Sequence, residues 1–116
     1  MIFSDDLHMS RFTLLRENLH GHKQNNNYYL SALYIITSSE ELFKKMYQYF
    51  DKNEGFSAEE MFAKEDFSSS NLILAKLASH LFNNNYQVTP LDLIGLKEDS
   101  YQTAMSAIFI RKYGVQ

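Results

Sequence analysis

Apolar and polar positions alternate along most of this chain with the period of a helix rather than that of a strand. From about Asp5 to Leu19, the residues His8, Phe12, Leu15 and Leu19 recur three or four apart and so share one stripe of a helix. Ser4 stands before that run as a candidate N-cap, and Asp5 and Asp6 fall in the first turn, where the helix dipole favours acids. Gly21 and the polar run to Asn27 end the element. From roughly Asn27 to Ile36 the pattern changes: Tyr28, Leu30, Ala32, Leu33, Tyr34, Ile35 and Ile36 leave little polar circumference, which predicts a central, buried helix.

The downstream elements are marked by their caps. Ser38-Ser39-Glu40-Glu41 has the form of a capping box and predicts a third helix through about Phe50, with Leu42, Phe43, Met46, Tyr47 and Phe50 facing inward. Ser57-Ala58-Glu59-Glu60 repeats the pattern and predicts a short helix to about Lys64. Asp66 to Ser70 supplies several caps before a helix over Asn71 to Asn83, whose inner positions are Leu72, Ile73, Leu77, Leu81 and Phe82. Thr89-Pro90 places a cap and an N1 proline ahead of one turn, Leu91 to Ile94. A last helix, about Ser100 to Tyr113, is expected to bury Tyr101, Ala104, Met105, Ile108 and Phe109, to let a neighbour approach closely at Ala104 and Ala107, and to stop at Gly114. The two asparagine triplets, 25–27 and 83–85, read as turns. The expected fold class is all-α: a compact bundle of five to six helices joined by short polar loops, in one domain over residues 1–116.

Composition agrees with that picture. One Pro and four Gly are too few for the many turns of a sandwich or barrel. At 45% hydrophobic and 22% charged, the chain has enough apolar surface to offset the entropy of folding. The absence of cysteine removes disulfides, thiolate metal sites and cysteine nucleophiles together. No basic leader precedes an apolar run at the start, and the longest apolar stretch is too short to cross a bilayer, so the expected location is the cytoplasm, with no membrane contact.

Charge is where the sequence becomes specific. Of a net −3, residues 51–66 carry six acids (Asp51, Glu54, Glu59, Glu60, Glu65, Asp66) against Lys52 and Lys64, a local −4, while the rest of the chain sums to +1. Lys and Arg form no cluster, so direct nucleic-acid binding is not expected. Tyr28-Tyr29 and Tyr47-Gln48-Tyr49-Phe50 put more aromatic surface along the chain than single helix faces bury, so one or two tyrosines are expected at a binding surface. Tyr47, Tyr49, Asp51, Glu54, Glu59, Glu60, Glu65 and Asp66 are therefore the candidate partner-binding residues.

Two metal patterns compete with that reading. The stretch Glu41 to Phe62 resembles an EF-hand, with Asp51 and Asn53 at the first two ligand positions. Gly55, however, occupies the third ligand position, and Glu60 follows Asp51 by nine residues where the closing carboxylate needs eleven. His8, His20, His22 and His80 could supply imidazoles for zinc, yet His20 and His22 lie two apart, with no carboxylate or thiolate at a ligand interval. A calcium- or zinc-responsive module is thus the alternative, and no cofactor is expected; His8 is expected to be partly buried with a hydrogen-bond partner. No Gly-x-Ser-x-Gly turn, phosphate loop or dinucleotide motif occurs, and the acid pairs sit in first helical turns, so no enzyme is expected.

His8 and Phe12, the Leu77-Ala78-x-x-Leu81-Phe82-Asn83 stretch, the Pro90-Leu91-x-Leu93 turn and Ala107-Ile108-x-Ile110-Arg111 together resemble a domain of unknown function found in small helical proteins of Gram-positive bacteria and their mobile elements. The resemblance implies a helical fold and a mobile-element association, and it carries no catalytic residue. Joined to the acidic segment, it makes the expected function a non-enzymatic protein-binding module. The concrete form of that expectation is a phage or mobile-element inhibitor of a defence nuclease of the CRISPR type, which would engage a nucleic-acid-binding protein partner.

Overall fold

Among the described residues seven α-helices contribute side chains to one hydrophobic core, and the second of them is its axis. The computed structural model describes residues 2–51 and 55–115. Helix α2 (Asn27–Ile36) is buried at every position from Leu30 to Ile36, as its continuous apolar character requires. Its most extensive neighbours are α5 (Ser69–Asn83) and α7 (Glu98–Tyr113). The small side chains Ala75 and Ala78 of α5 and Ala104 and Ala107 of α7, all fully buried, allow that close three-helix layer. The hydroxyls of Thr37 and Ser79 are satisfied by their own helices, Thr37 Oγ1 donating to the Leu33 carbonyl at 2.7 Å and Ser79 Oγ to the Ala75 carbonyl at 3.1 Å, while the Tyr34 hydroxyl donates to the Ile2 carbonyl. Among the described residues no buried side-chain polar atom lacks a partner.

Helix α1 (Asp6–Glu17) lays its predicted stripe on α2, with His8, Phe12 and Leu15 buried. Its N-cap is Asp5 rather than Ser4: the Asp5 carboxylate accepts the His8 N–H at 2.8 Å, which frees Ser4 for a different task. A 3-10 turn, Gly21–Asn25, follows, and Asn26 then caps α2 by accepting the Tyr28 N–H. The second triplet also ends an element, with Asn84 in the left-handed conformation (φ 65°) at the C-cap of α5.

Three expectations are corrected between residues 38 and 64. Helix α3 (Glu40–Met46) is capped by Ser39, whose side chain accepts the Leu42 N–H at 3.2 Å, so the Ser38–Glu41 capping box does not form. The helix also ends at Met46. A 3-10 turn (Tyr47–Tyr49) and a two-strand ladder of β1 (Phe50–Asp51) with β2 (Gly55–Phe56) replace its predicted last turn. The ladder is anchored by aromatic rings: Phe82 of α5 meets Tyr29, Phe50 and Phe56 at centroid separations of 5.0, 6.1 and 6.4 Å. Gly55 belongs there, because its φ is +99° and a Cβ would lie 3.1 Å from the Phe82 ring. Helix α4 (Ala58–Lys64) starts at Ser57 with no side-chain cap, so the second predicted capping box is absent too.

The box that does form is Thr89–Asp92, at the start of α6 (Pro90–Ile94), with Thr89 N–H donating to Asp92 at 2.9 Å and Asp92 N–H to Thr89 at 3.2 Å. Two inner faces are also rotated from expectation. In α5 the fully buried positions are Leu74, Ala75, Leu77, Ala78 and Ser79, while Leu72, Ile73, Leu81 and Phe82 are half-buried. In α7, Phe109 is 49% exposed, because Ala104, Ala107 and Ile110 take the face against α2.

Candidate partner-binding face

The acidic segment folds back on the tyrosine turn through one carboxylate. Glu65, just past α4, accepts the Tyr49 hydroxyl at 2.7 Å and the Gln48 amide at 3.4 Å. The bond to an ionised acceptor, together with burial, pushes the Tyr49 phenol up to about 12. Nearby, Lys45 of α3 donates to the Asp66 carbonyl and pairs with Glu41 at 3.1 Å. Glu41 is the central polar bolt of this arm. Released from the expected capping box, its carboxylate accepts the Ser68 N–H at 3.0 Å, the Ser68 hydroxyl at 2.9 Å and the Asn71 amide at 2.6 Å. Those bonds, led by the Ser68 N–H, hold its acid form down at about 2.

This geometry sorts the candidate residues. Tyr47, 49% exposed and tilted against Phe43, is the aromatic side chain offered to solvent. Tyr49 is not: at 9% exposure, with its hydroxyl on Glu65, it braces the face from below. Tyr49 stands seven residues after Leu42 and three after Met46, the stripe that α3 buries, and the 3-10 turn keeps it on that inner side. Glu59 and Glu60 lie exposed on α4 and line a shallow recess of about 570 Å³ with Phe56, Ala63 and Asn85. Glu60 pairs with Lys64 at 2.9 Å, an exposed pair of small energetic weight. Asp66 is exposed and Glu65 half-buried. Asp51 contributes backbone to β1 opposite Gly55, and Glu54 lies outside the described residues, as do Lys52 and Asn53 of the calcium-loop pattern.

The histidines stay apart. Among the described residues no three His, Asp or Glu side chains converge as metal ligands. His20, just before the 3-10 turn, and His22 on it are exposed, and the His80 Nδ1–H donates to the Tyr86 carbonyl at 2.8 Å. His8 is fully buried, more deeply than the sequence suggests. Its Nε2–H donates to the Tyr34 carbonyl at 2.8 Å, and its Nδ1 accepts the Ser4 N–H at 3.1 Å, which together fix the neutral tautomer. Burial is the main cause that holds its pKa below 6.5, with Arg11 adding to it, while the Tyr34 bond and Asp5 oppose. The Ser4 hydroxyl also lies 3.0 Å from Nδ1, a serine–histidine contact that the sequence reading did not foresee. Since the same lone pair faces the Ser4 N–H, the imidazole acts as a clasp for the segment 2–4. Phe3, stacked among His8, Phe12 and Tyr34, completes the clasp.

The profile of one protein family covers residues 1–115. The chain belongs to that family, a family of unknown function (DUF6075). No curated protein and no solved structure matches it. The family residues that motivated the resemblance serve packing and positioning here: His8 and Phe12 under the N-terminal clasp, Leu77 and Ala78 in the central layer, and Leu93 and Ile110 in the core. Arg111 differs from them in reaching toward a surface recess. No helix among the described residues is long and apolar enough to cross a membrane.

Proposed function

We propose that this family member is a non-enzymatic binding module that docks an acidic, tyrosine-bearing face onto a basic protein surface in the cytoplasm. The observation that carries the reading is the Glu65 junction. By bonding Tyr49 and Gln48, it ties the end of α4, whose acids are exposed, to the turn that carries exposed Tyr47. An exposed aromatic ring on a turn that adjoins an acidic helix suits an interface that gains orientation and association rate from charge and affinity from the ring. The mobile-element association implied by the resemblance gives the proposal a concrete form: inhibition of a bacterial defence nuclease of the CRISPR-effector type. Such a nuclease holds nucleic acid in a positive channel, which a compact acidic protein can occupy or brace at its rim. Tyr47, Glu59, Glu60 and Asp66 would meet the partner, while Tyr49 and Glu65 hold the face in shape.

The test is association of the purified chain with a purified CRISPR effector across a salt series. Binding is expected at low ionic strength and should weaken steeply as the screening length falls below about 10 Å near 0.1 M salt. Complete absence of association at low salt, with effectors tested both free and loaded with nucleic acid, removes the proposal.

A further inference from the structure

At the end of the molecule where α5 finishes, a recess of about 460 Å³ is lined by Tyr28, His80, Leu81, Phe82, Asn83, Asn84 and Arg111. Its electrostatics run opposite to those of the chain as a whole. The protein carries a net −3, yet this recess holds a guanidinium, an imidazole and two amides, and no carboxylate.

Arg111 is the organising residue, and it is held from two sides. Its Nε–H donates to the Leu81 carbonyl at 2.8 Å, and its guanidinium carbon lies 3.7 Å from the centre of the Tyr28 ring. Asn27 steadies the backbone beneath it by donating its amide to the Arg111 carbonyl at 3.4 Å. A guanidinium stacked on an aromatic face and tied through Nε keeps its two terminal nitrogens pre-oriented as a fork. The side chain is half-buried, and the ion pairs formed among the described residues involve lysine rather than Arg111. Partial desolvation, with no ion-pair partner among the described residues, raises the gain available from an anion that enters the recess.

Shape and charge together narrow the ligand. One fixed fork presents two parallel donors that match the two oxygens of a carboxylate. A single permanent positive charge suits a monoanion. Tyr28, Leu81 and Phe82 add ring and aliphatic surface on which an apolar body can rest, and Asn83 and Asn84 add amide groups at the rim. Asn84 is held in place by its left-handed cap, and the His80 ring is fixed by its bond to Tyr86, so the wall is built before any ligand arrives.

We propose that this recess is a binding site for a small carboxylate-bearing molecule with an apolar or aromatic body, recognised by Arg111. This site shares no lining residue with the recess beside Glu59 and Glu60, which it adjoins at Asn84 and Asn85, and it does not depend on the function of the acidic face. Capping of the α5 C-terminus by Arg111 explains the Nε bond, but it requires neither the stack on Tyr28 nor a recess free of acids.

The test is a solution NMR titration of the full chain with sodium benzoate, sodium acetate and inorganic phosphate, at ionic strength matched with sodium chloride. Benzoate should give saturable shifts at the Arg111 Nε–H and at the amides of Leu81, Asn83 and Asn84, with a dissociation constant of about 1 mM, the scale of a weak fragment. Acetate should bind more weakly because it lacks the ring, and phosphate should bind no better than acetate. Arg111→Lys, which keeps the charge but loses the fork, should weaken benzoate at least about tenfold, and Arg111→Gln should abolish its binding. Non-saturating shifts with benzoate, shifts reproduced by chloride, or phosphate binding tighter than benzoate would overturn the assignment. Should either variant fail to fold, the wild-type shift at the Arg111 Nε–H decides by itself: present and saturable supports the site, absent removes it.

Discussion

The α2–α5–α7 layer and the α3–α4 arm are held together by different physics. In the layer, alanines bring helix backbones close, the buried positions of α2 run without interruption from Leu30 to Ile36, and the Thr37 and Ser79 hydroxyls turn back on their own helices. Its stability is a matter of area removed from water and of tight packing. The arm has Leu42, Met46 and Met61 for its share of the core, but its outer edge is fastened by a handful of polar contacts: Glu41 to Ser68 and Asn71, Lys45 to Asp66, and Tyr49 to Glu65. The comparison teaches that the fold and the proposed docking face are separable. The layer can carry the stability of the whole while the arm is shaped by charge, and acid placed on α4 costs the core nothing.

Truncation inside the layer should have the largest effect. Leu33 is fully buried on α2, and Leu33→Ala should lower unfolding free energy by about 2–5 kcal/mol, seen as a lower midpoint in denaturant with an unchanged slope. A loss well below that range would mean that the layer relaxes into the cavity and is packed less tightly than described.

The polar bolt of the arm should matter less and should depend on pH. The Glu41 acid form is held at about 2, against 4.5 for an unconstrained carboxyl. A carboxylate with a depressed folded value stabilises fully above the unfolded value. Its contribution is therefore complete above about pH 4.5 and is lost as pH falls from there through about 2. Glu41→Gln should cost about 1.5–3 kcal/mol at neutral pH, the range for hydrogen bonds to a charged group, and should flatten the acid limb of a stability-against-pH curve. An acid limb identical to that of the wild type would assign the bolt to other residues.

The parts of the fold that were legible in the sequence are those set by local chemistry. The α1 stripe, the all-round apolar α2 and the Thr89-Pro90 start of α6 follow from spacing and cap chemistry alone. The misreadings share a different cause. Consecutive serines at 38 and 39 permit two cap registers, and the choice of Ser39 is tied to the reach of Glu41 toward Ser68, 27 residues away. The end of α3 at Met46 goes with rings from α2 and α5 closing on Phe50. Phe109 is left exposed because two alanines on the same helix pack against α2 in its place. For the candidate site, the exposure of Glu59, Glu60, Asp66 and Tyr47 follows from their residue types and positions. The bracing role of Tyr49 and the clasp between Ser4 and His8 were not, since their meaning lies in partners that only the folded chain supplies.

The smallest stability change is expected where the functional change should be greatest. Glu59, Glu60 and Asp66 are exposed and outside the core, so the triple change Glu59→Lys, Glu60→Lys and Asp66→Lys should shift stability by only about 1 kcal/mol. Affinity for a basic partner nuclease and stability in denaturant, measured side by side on this variant and the wild type, test the separation of face from fold most directly. The account predicts that binding collapses while the denaturation midpoint stays nearly in place; binding retained at full strength on an intact fold would contradict it.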